Sequence, residues 1–160
     1  MEKILELLEH DGSLTPEQLG VMVEKTTDEV SAAIEEYKKN KVIVGSRTII
    51  DWEKTEREMV TAIIELRATP QSADGFDKIA EHICQFPEVK SLYLTAGGYD
   101  LMVVIEGKSL EEISSFVTLR LATMDAIKGT YTRFILKKYK SDNVIFGEQY
   151  KDTREVMCHE

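Results

Sequence analysis

The sequence predicts an α+β chain in two parts, an N-terminal winged helix-turn-helix joined to a C-terminal ferredoxin-like βαββαβ domain. Three observations predict it: two helix-capping signatures in succession before residue 43, a change of hydrophobic period after Glu58, and the order of the segments beyond it. The boundaries that follow are 1–50 for the helical domain, 51–57 for a linker, 58–140 for the sheet domain and 141–160 for a tail. With 160 residues, 42% of them hydrophobic, the chain can build two small cores. Its 20 Lys and Arg stand against 29 Asp and Glu, a formal charge of -9. Affinity for nucleic acid through the overall field is thereby excluded, because that affinity is built from cations displacing counterions. Any DNA contact must be local.

In the first block Ile4, Leu5, Leu7 and Leu8 mark a short helix that "HDGS" stops. "TPEQ" then supplies Thr15 as N-cap, Pro16 at the first helical position and Gln18 at the third. "TTDE" repeats the arrangement with Thr26 and Glu29. After the third helix "VIVGSRTIIDW" turns to β-branched residues around a Gly-Ser, which suits one or two short strands. Three helices followed by a strand pair is the layout of a winged helix-turn-helix, although a plain three-helix module gives much the same string.

In the second block "MVTAIIELRA" reads as a strand, and "ADGFDKIAEHICQF" as a helix with the stripe Phe76, Ile79, Ala80 and Ile83. "VKSLYLT" and "YDLMVVIEG" are strands joined across "AGG". "SLEEISSFVTLRLATM" opens with a capping box from Ser109 to Glu112, and "GTYTRFILKKYK" is a last strand. The order β-α-β-β-α-β puts both helices on one face of a four-stranded sheet. Yet "LMVVI" is apolar at both parities, Leu101, Val103 and Ile105 against Met102 and Val104. An antiparallel sheet with a solvated face alternates instead. The second face is therefore expected to be buried against another copy, and a homodimer is the simplest closed solution.

At "VTAIIEL", "FPEVKSLYLTAGGYDLMVVIEG" and "TYTRFILKKYK" the chain resembles the C-terminal domain of the Lrp/AsnC family of transcriptional regulators. The densest match is "AGGYDLMV", similar to that family's glycine, variable residue, aromatic, aspartate, apolar hairpin. The resemblance covers residues 2 to 140 and leaves the tail outside. It implies a dimer formed through the C-terminal sheets, further assembly up to an octamer, double-stranded DNA as partner and a small amino-acid-like effector. Carried over residue by residue, the effector loop falls on Gly97, Gly98, Tyr99 and Asp100. Glycines let backbone N–H groups approach a carboxylate and Asp100 can hold an ammonium. Equally, the glycines only make the turn and Asp100 only fixes the hairpin. The family's third helix has an arginine before its buried isoleucine and a glycine after its end; here those positions are Ala33 and Lys41.

On the third helix Val30, Ala33, Ile34 and Tyr37 form the core side. Asp28, Ala32, Glu35 and Lys39 centre the opposite face, with Glu36 at its edge. The first 54 residues hold 7 Lys and Arg against 12 Asp and Glu, a net of -5. The candidate DNA-contacting residues are Lys25, Thr26, Thr27, Ser31, Lys38, Lys39 and Arg47, with Lys41 a further candidate for phosphate.

No catalytic or metal-binding set stands out. His10, His82 and His159 are scattered, the adjacent Cys158 and His159 read as a frayed terminus, and phosphate-loop, nucleophile-elbow and metalloprotease motifs are lacking. Met22, Met102 and Met124 read as core filler. Cys84 and Cys158 are expected to stay reduced, and no apolar run approaches the roughly 18 residues of a membrane span, so the chain is expected in the cytoplasm. The tail reads either as a strand added to a neighbour or as a loose end. The leading expectation is a non-enzymatic DNA-binding regulator without cofactor beyond its effector. The other is an effector-binding and assembly module whose acidic helix-turn-helix binds a protein partner.

Overall fold

The computed structural model describes residues 2–70 and 75–147, which fall into two compact units, Met1–Ile50 and Asp51–Glu160. The first holds α1 (Glu2–His10), α2 (Pro16–Val23) and α3 (Thr27–Lys39). Ile4, Leu19, Val30 and Ala33 are its buried centre, with Leu7, Leu8, Leu14, Val23, Ile34 and Tyr37 packed around them. The predicted core side of the third helix is therefore the observed one.

Both predicted capping boxes close. The Thr15 hydroxyl accepts from the Gln18 N–H and the Gln18 side chain accepts from the Thr15 N–H; Thr26 and Glu29 do the same for α3. The predicted stop after α1 is built on Asp11, whose carboxylate accepts from the Ser13 N–H at 2.9 Å and its hydroxyl at 2.6 Å. The strands expected within 42–52 do not form. Residues 44–50 have no regular structure, and Val44, Ile49 and Ile50 are exposed. A two-stranded ribbon is marginal without a surface to bury one face, and Val44, Ile49 and Ile50 are not buried by the three-helix core.

The second unit runs β1 (Val60–Ala68), α4 (Asp77–Cys84), β2 (Val89–Leu94), β3 (Leu101–Gly107), α5 (Leu110–Phe116) and β4 (Ile127–Phe134). The sheet order is β2-β3-β1-β4 with every neighbour antiparallel, the predicted βαββαβ arrangement. Ala62, Ile64 and Leu66 on β1 and Leu101, Val103 and Ile105 on β3 are buried beneath Ile79 and Ile83 of α4 and Ile113 and Phe116 of α5.

Several boundaries differ from expectation. Tyr99 and Asp100 lie in the β2–β3 loop rather than in β3. The helix expected to reach Met124 is α-helical to Phe116 and continues as a π-type turn, Val117–Leu121. Ser109 caps α5 as predicted, but Glu112 returns its bond to the Lys108 N–H instead of to the cap residue. Strand β4 ends at Phe134, and the chain then folds into a small hairpin, β5 (Lys140–Ser141) and β6 (Val144–Ile145). Asp142 and Asn143 turn it with φ of 48° and 63°, a left-handed pair that suits tight hairpins. The predicted helix start at Ala73 and Asp74, and Cys158 and His159, lie outside the described residues. Met124 packs on the core, Met102 is half-buried, and Met22 is exposed rather than core filler.

The other face of the sheet carries Ile63, Glu65 and Arg67 of β1, Met102 and Val104 of β3, and Tyr131 and Arg133 of β4. Ile63 pairs with Val104 in register and both are half-buried. Arg133 reaches Glu65 at 3.0 Å on this face.

Candidate functional site

The turn between α2 and α3 is three residues long. Glu24 caps α2 in the left-handed conformation, φ 56°, and the Lys25 N–H donates to the Gly20 carbonyl at 2.9 Å. A Cβ at Gly20 would stand 2.8 Å from the Lys25 carbonyl oxygen, so this close return of the chain requires glycine. Sequence reading passed over Gly20; the signal was an isolated glycine inside an apolar helical pattern.

The candidate DNA-contacting residues do not share one state. Lys25 is exposed in the turn and borders, with Glu29, Ala32, Ala33 and Glu36, a hollow of about 300 Å³. The Thr26 hydroxyl is engaged in the cap, donating to Glu29 Oε2 at 2.9 Å and accepting from the Glu29 N–H. Thr27 and Ser31 are half-buried, Lys39 is exposed, and Arg47 is exposed in the irregular segment. Lys38 Nζ meets Glu35 Oε1 at 2.8 Å, an exposed pair that water screens strongly. Glu35 therefore offsets a cation of the face that would meet phosphate. Hydrogen bonds from the Thr26 N–H and then its hydroxyl hold the Glu29 carboxyl below its ordinary value, so it is charged at neutral pH. A larger hollow, about 690 Å³, opens elsewhere in this unit between Leu5, Leu8, Leu14, Ile34, Val42 and Ile43.

In the second unit Gly97, Gly98, Tyr99 and Asp100 all lie in the β2–β3 loop. Asp100 ties the loop to β1 and closes its own hairpin: its N–H donates to the Leu66 carbonyl at 2.9 Å, its carbonyl accepts from the Thr95 N–H at 2.8 Å, and its Oδ2 accepts from the Ala68 N–H at 2.8 Å. One carboxylate oxygen is thus committed to the end of β1, which the hairpin-only reading did not anticipate. A Cβ at Gly97 or Gly98 would meet nothing within 4 Å, so open space adjoins the loop. The Thr95 hydroxyl donates to the Tyr99 carbonyl at 2.9 Å, and the Tyr99 ring lies 6.3 Å from that of Tyr131. Arg67, which the sequence did not single out, lies over Tyr99 at 5.6 Å and donates to the Gly98 carbonyl at 3.4 Å. Its signal was a cation two residues after Glu65 in a strand that is mostly apolar.

Residues 61–145 match the family model described as the Lrp/AsnC ligand binding domain, so the likeness extends past residue 140 into the hairpin of the tail. The chain is 41% identical over 156 residues to the HTH-type transcriptional regulator YugG of Bacillus subtilis, covering 97% of this chain and 94% of that protein. It is 26% identical to the HTH-type transcriptional regulator FL11 of Pyrococcus horikoshii, over 87% of this chain and 89% of that one. Among solved structures, AsnC of E. coli superposes with a TM-score of 0.66 at 19% identity, covering 86% of this chain and 91% of that one. The regulator NMB0573 of Neisseria meningitidis, in complex with L-methionine, reaches 0.71 at 20% identity, covering 87% and 89%. No helix among the described residues is long and apolar enough to cross a membrane. A full-length relative at this identity, a matching ligand-binding domain and a helix-turn-helix ahead of it together place the chain in the Lrp/AsnC family of DNA-binding transcriptional regulators.

Proposed function

We propose that this regulator acts as a homo-oligomer, each subunit presenting α3 to double-stranded DNA and reading a free amino acid at the β2–β3 loop. The observation that carries the reading is the exposed outer face of α3, held by the Gly20 turn, in a chain whose sheet unit belongs to a ligand-binding family. Within the candidate set Lys25, Lys38, Lys39 and Arg47 are all exposed, and Lys38 must leave Glu35 to reach a phosphate. Contacts per subunit are few, so affinity comes from several copies bound at once. Dimerisation covers the face carrying Ile63, Met102 and Val104, and further assembly up to an octamer raises the number of α3 helices available.

The test is a fluorescence-anisotropy titration of the DNA upstream of the gene at several salt concentrations. Affinity is expected to fall steeply with salt, and Lys38→Ala with Lys39→Ala is expected to reduce the log-log slope by about 1 to 2 per subunit. An unchanged slope would remove α3 from the phosphate contacts. Absence of binding to any fragment at low salt, with and without amino acids, would overturn DNA recognition through this unit.

A further inference from the structure

Arg67 differs from Arg133, the other arginine on the open face of the sheet, in what surrounds it. It stands on the face of β1 away from Leu66 and Ala68, which are buried, and at the end of the strand where the β2–β3 loop returns. Its guanidinium lies over the Tyr99 ring, and its one hydrogen bond, to the Gly98 carbonyl, is long at 3.4 Å. Its cross-strand neighbour on β4 is Gly129, which has no side chain to cover it. Among the described residues no carboxylate pairs with Arg67, whereas Arg133 on the same face has Glu65 at 3.0 Å. In a chain of net charge -9 an exposed guanidinium without an acid is a local positive site.

A guanidinium stacked on a ring keeps its in-plane N–H donors available, and their fork matches the two oxygens of a carboxylate. The Tyr99 ring lies 5.6 Å beneath the guanidinium, and Tyr131 continues the aromatic surface beside it. The groups around this fork are the Gly98 carbonyl, which repels an anion and attracts an ammonium, and Asp100, whose Oδ2 is occupied by the Ala68 N–H. A cation and, beside it, oxygen acceptors form a pair of poles suited to a zwitterion.

Resting on the effector reading above, we infer that Arg67 binds the α-carboxylate of the effector. The ligand class is then an amino acid with a free carboxylate, and amines, amino-acid amides and esters are rejected. Arg67 is a specificity-determining residue of the loop site, and its guanidinium has no duty in the sheet core.

The experiment compares the full chain with Arg67→Ala and Arg67→Lys by thermal shift against the common L-amino acids, followed by calorimetry with the amino acid that responds and its carboxamide. Wild type is expected to bind the acid at least about tenfold more tightly than the amide. Arg67→Ala is expected to lose about tenfold or more for the acid and little for the amide, and Arg67→Lys, a point charge without the fork, to lie between them. Equal binding of acid and amide by wild type, or an acid affinity in Arg67→Ala within about twofold of wild type, overturns the inference and leaves the effector reading standing. No response of wild type to any amino acid overturns both. Unliganded melting temperatures of the variants matching wild type confirm that a lost response is lost binding.

Discussion

Gly20 and Lys41 bracket the helix-turn-helix and carry opposite backbone lessons. Alanine normally favours a helix interior over glycine by about 1 kcal/mol. At position 20 the added methyl would stand 2.8 Å from the Lys25 carbonyl oxygen, and the turn must open to admit it. Gly20→Ala is therefore expected to destabilise the first unit by about 1–3 kcal/mol in urea unfolding, and to weaken DNA binding with it. Lys41 takes φ 55° just past α3, where a side chain is disfavoured. Lys41→Gly should accordingly stabilise by about 0.5–1 kcal/mol, read by the same unfolding curves. Glu29 adds a pH dependence. Its folded carboxyl is held below the ordinary 4.5 by bonds that favour the charged form. That contribution is present above 4.5 and lost as the pH falls from there through the lowered folded value. Glu29→Gln keeps an acceptor for the Thr26 N–H but cannot titrate, so its unfolding midpoint is expected to vary less with pH below 4.5 than that of wild type.

Elements show which signals are local. The three capping residues Thr15, Thr26 and Ser109 all cap where their motifs predict, because a cap is closed by groups three residues apart and needs no distant partner. Strands are different, since their bonds run to residues far along the chain. β1 is the central case, paired with β3 on one side and β4 on the other. Ile64 at its middle is fully buried, so Ile64→Ala is expected to cost about 2–5 kcal/mol in the second unit. The 44–50 segment has strand-forming residues but no strand partner within its own unit, and it remains irregular. The loop between β2 and β3 is ordered by Asp100 reaching back to Leu66 and Ala68, contacts about thirty residues away that no hairpin rule encodes.

At the scale of the whole molecule the assembly proposed above rests on the open face of the sheet. Ile63, Met102 and Val104 give it an apolar centre, and the Glu65–Arg133 pair and Tyr131 border that centre. Val104→Glu places a charge that face-to-face packing would have to desolvate. Sedimentation at micromolar concentration is expected to show wild type as a dimer or larger and Val104→Glu as a folded monomer with weaker DNA binding, since α3 helices would no longer be linked in pairs. A wild-type monomer would contradict the assembly proposed above.

By itself the sequence determined the element order, both helix-turn-helix caps, the two-sided hydrophobicity of β3 and the family, because periodicity, capping and hairpin motifs are written in neighbouring residues. It also singled out Gly97, Gly98, Tyr99 and Asp100 as the candidate effector loop. Only the tertiary structure decided that Gly20 is sterically required and that Asp100 is committed to β1. It alone brought Arg67 over Tyr99, 32 residues further along the chain. Those facts depend on chain segments meeting across a turn or a sheet, and the distance at which they meet is set by packing rather than by the spacing of residues along the chain.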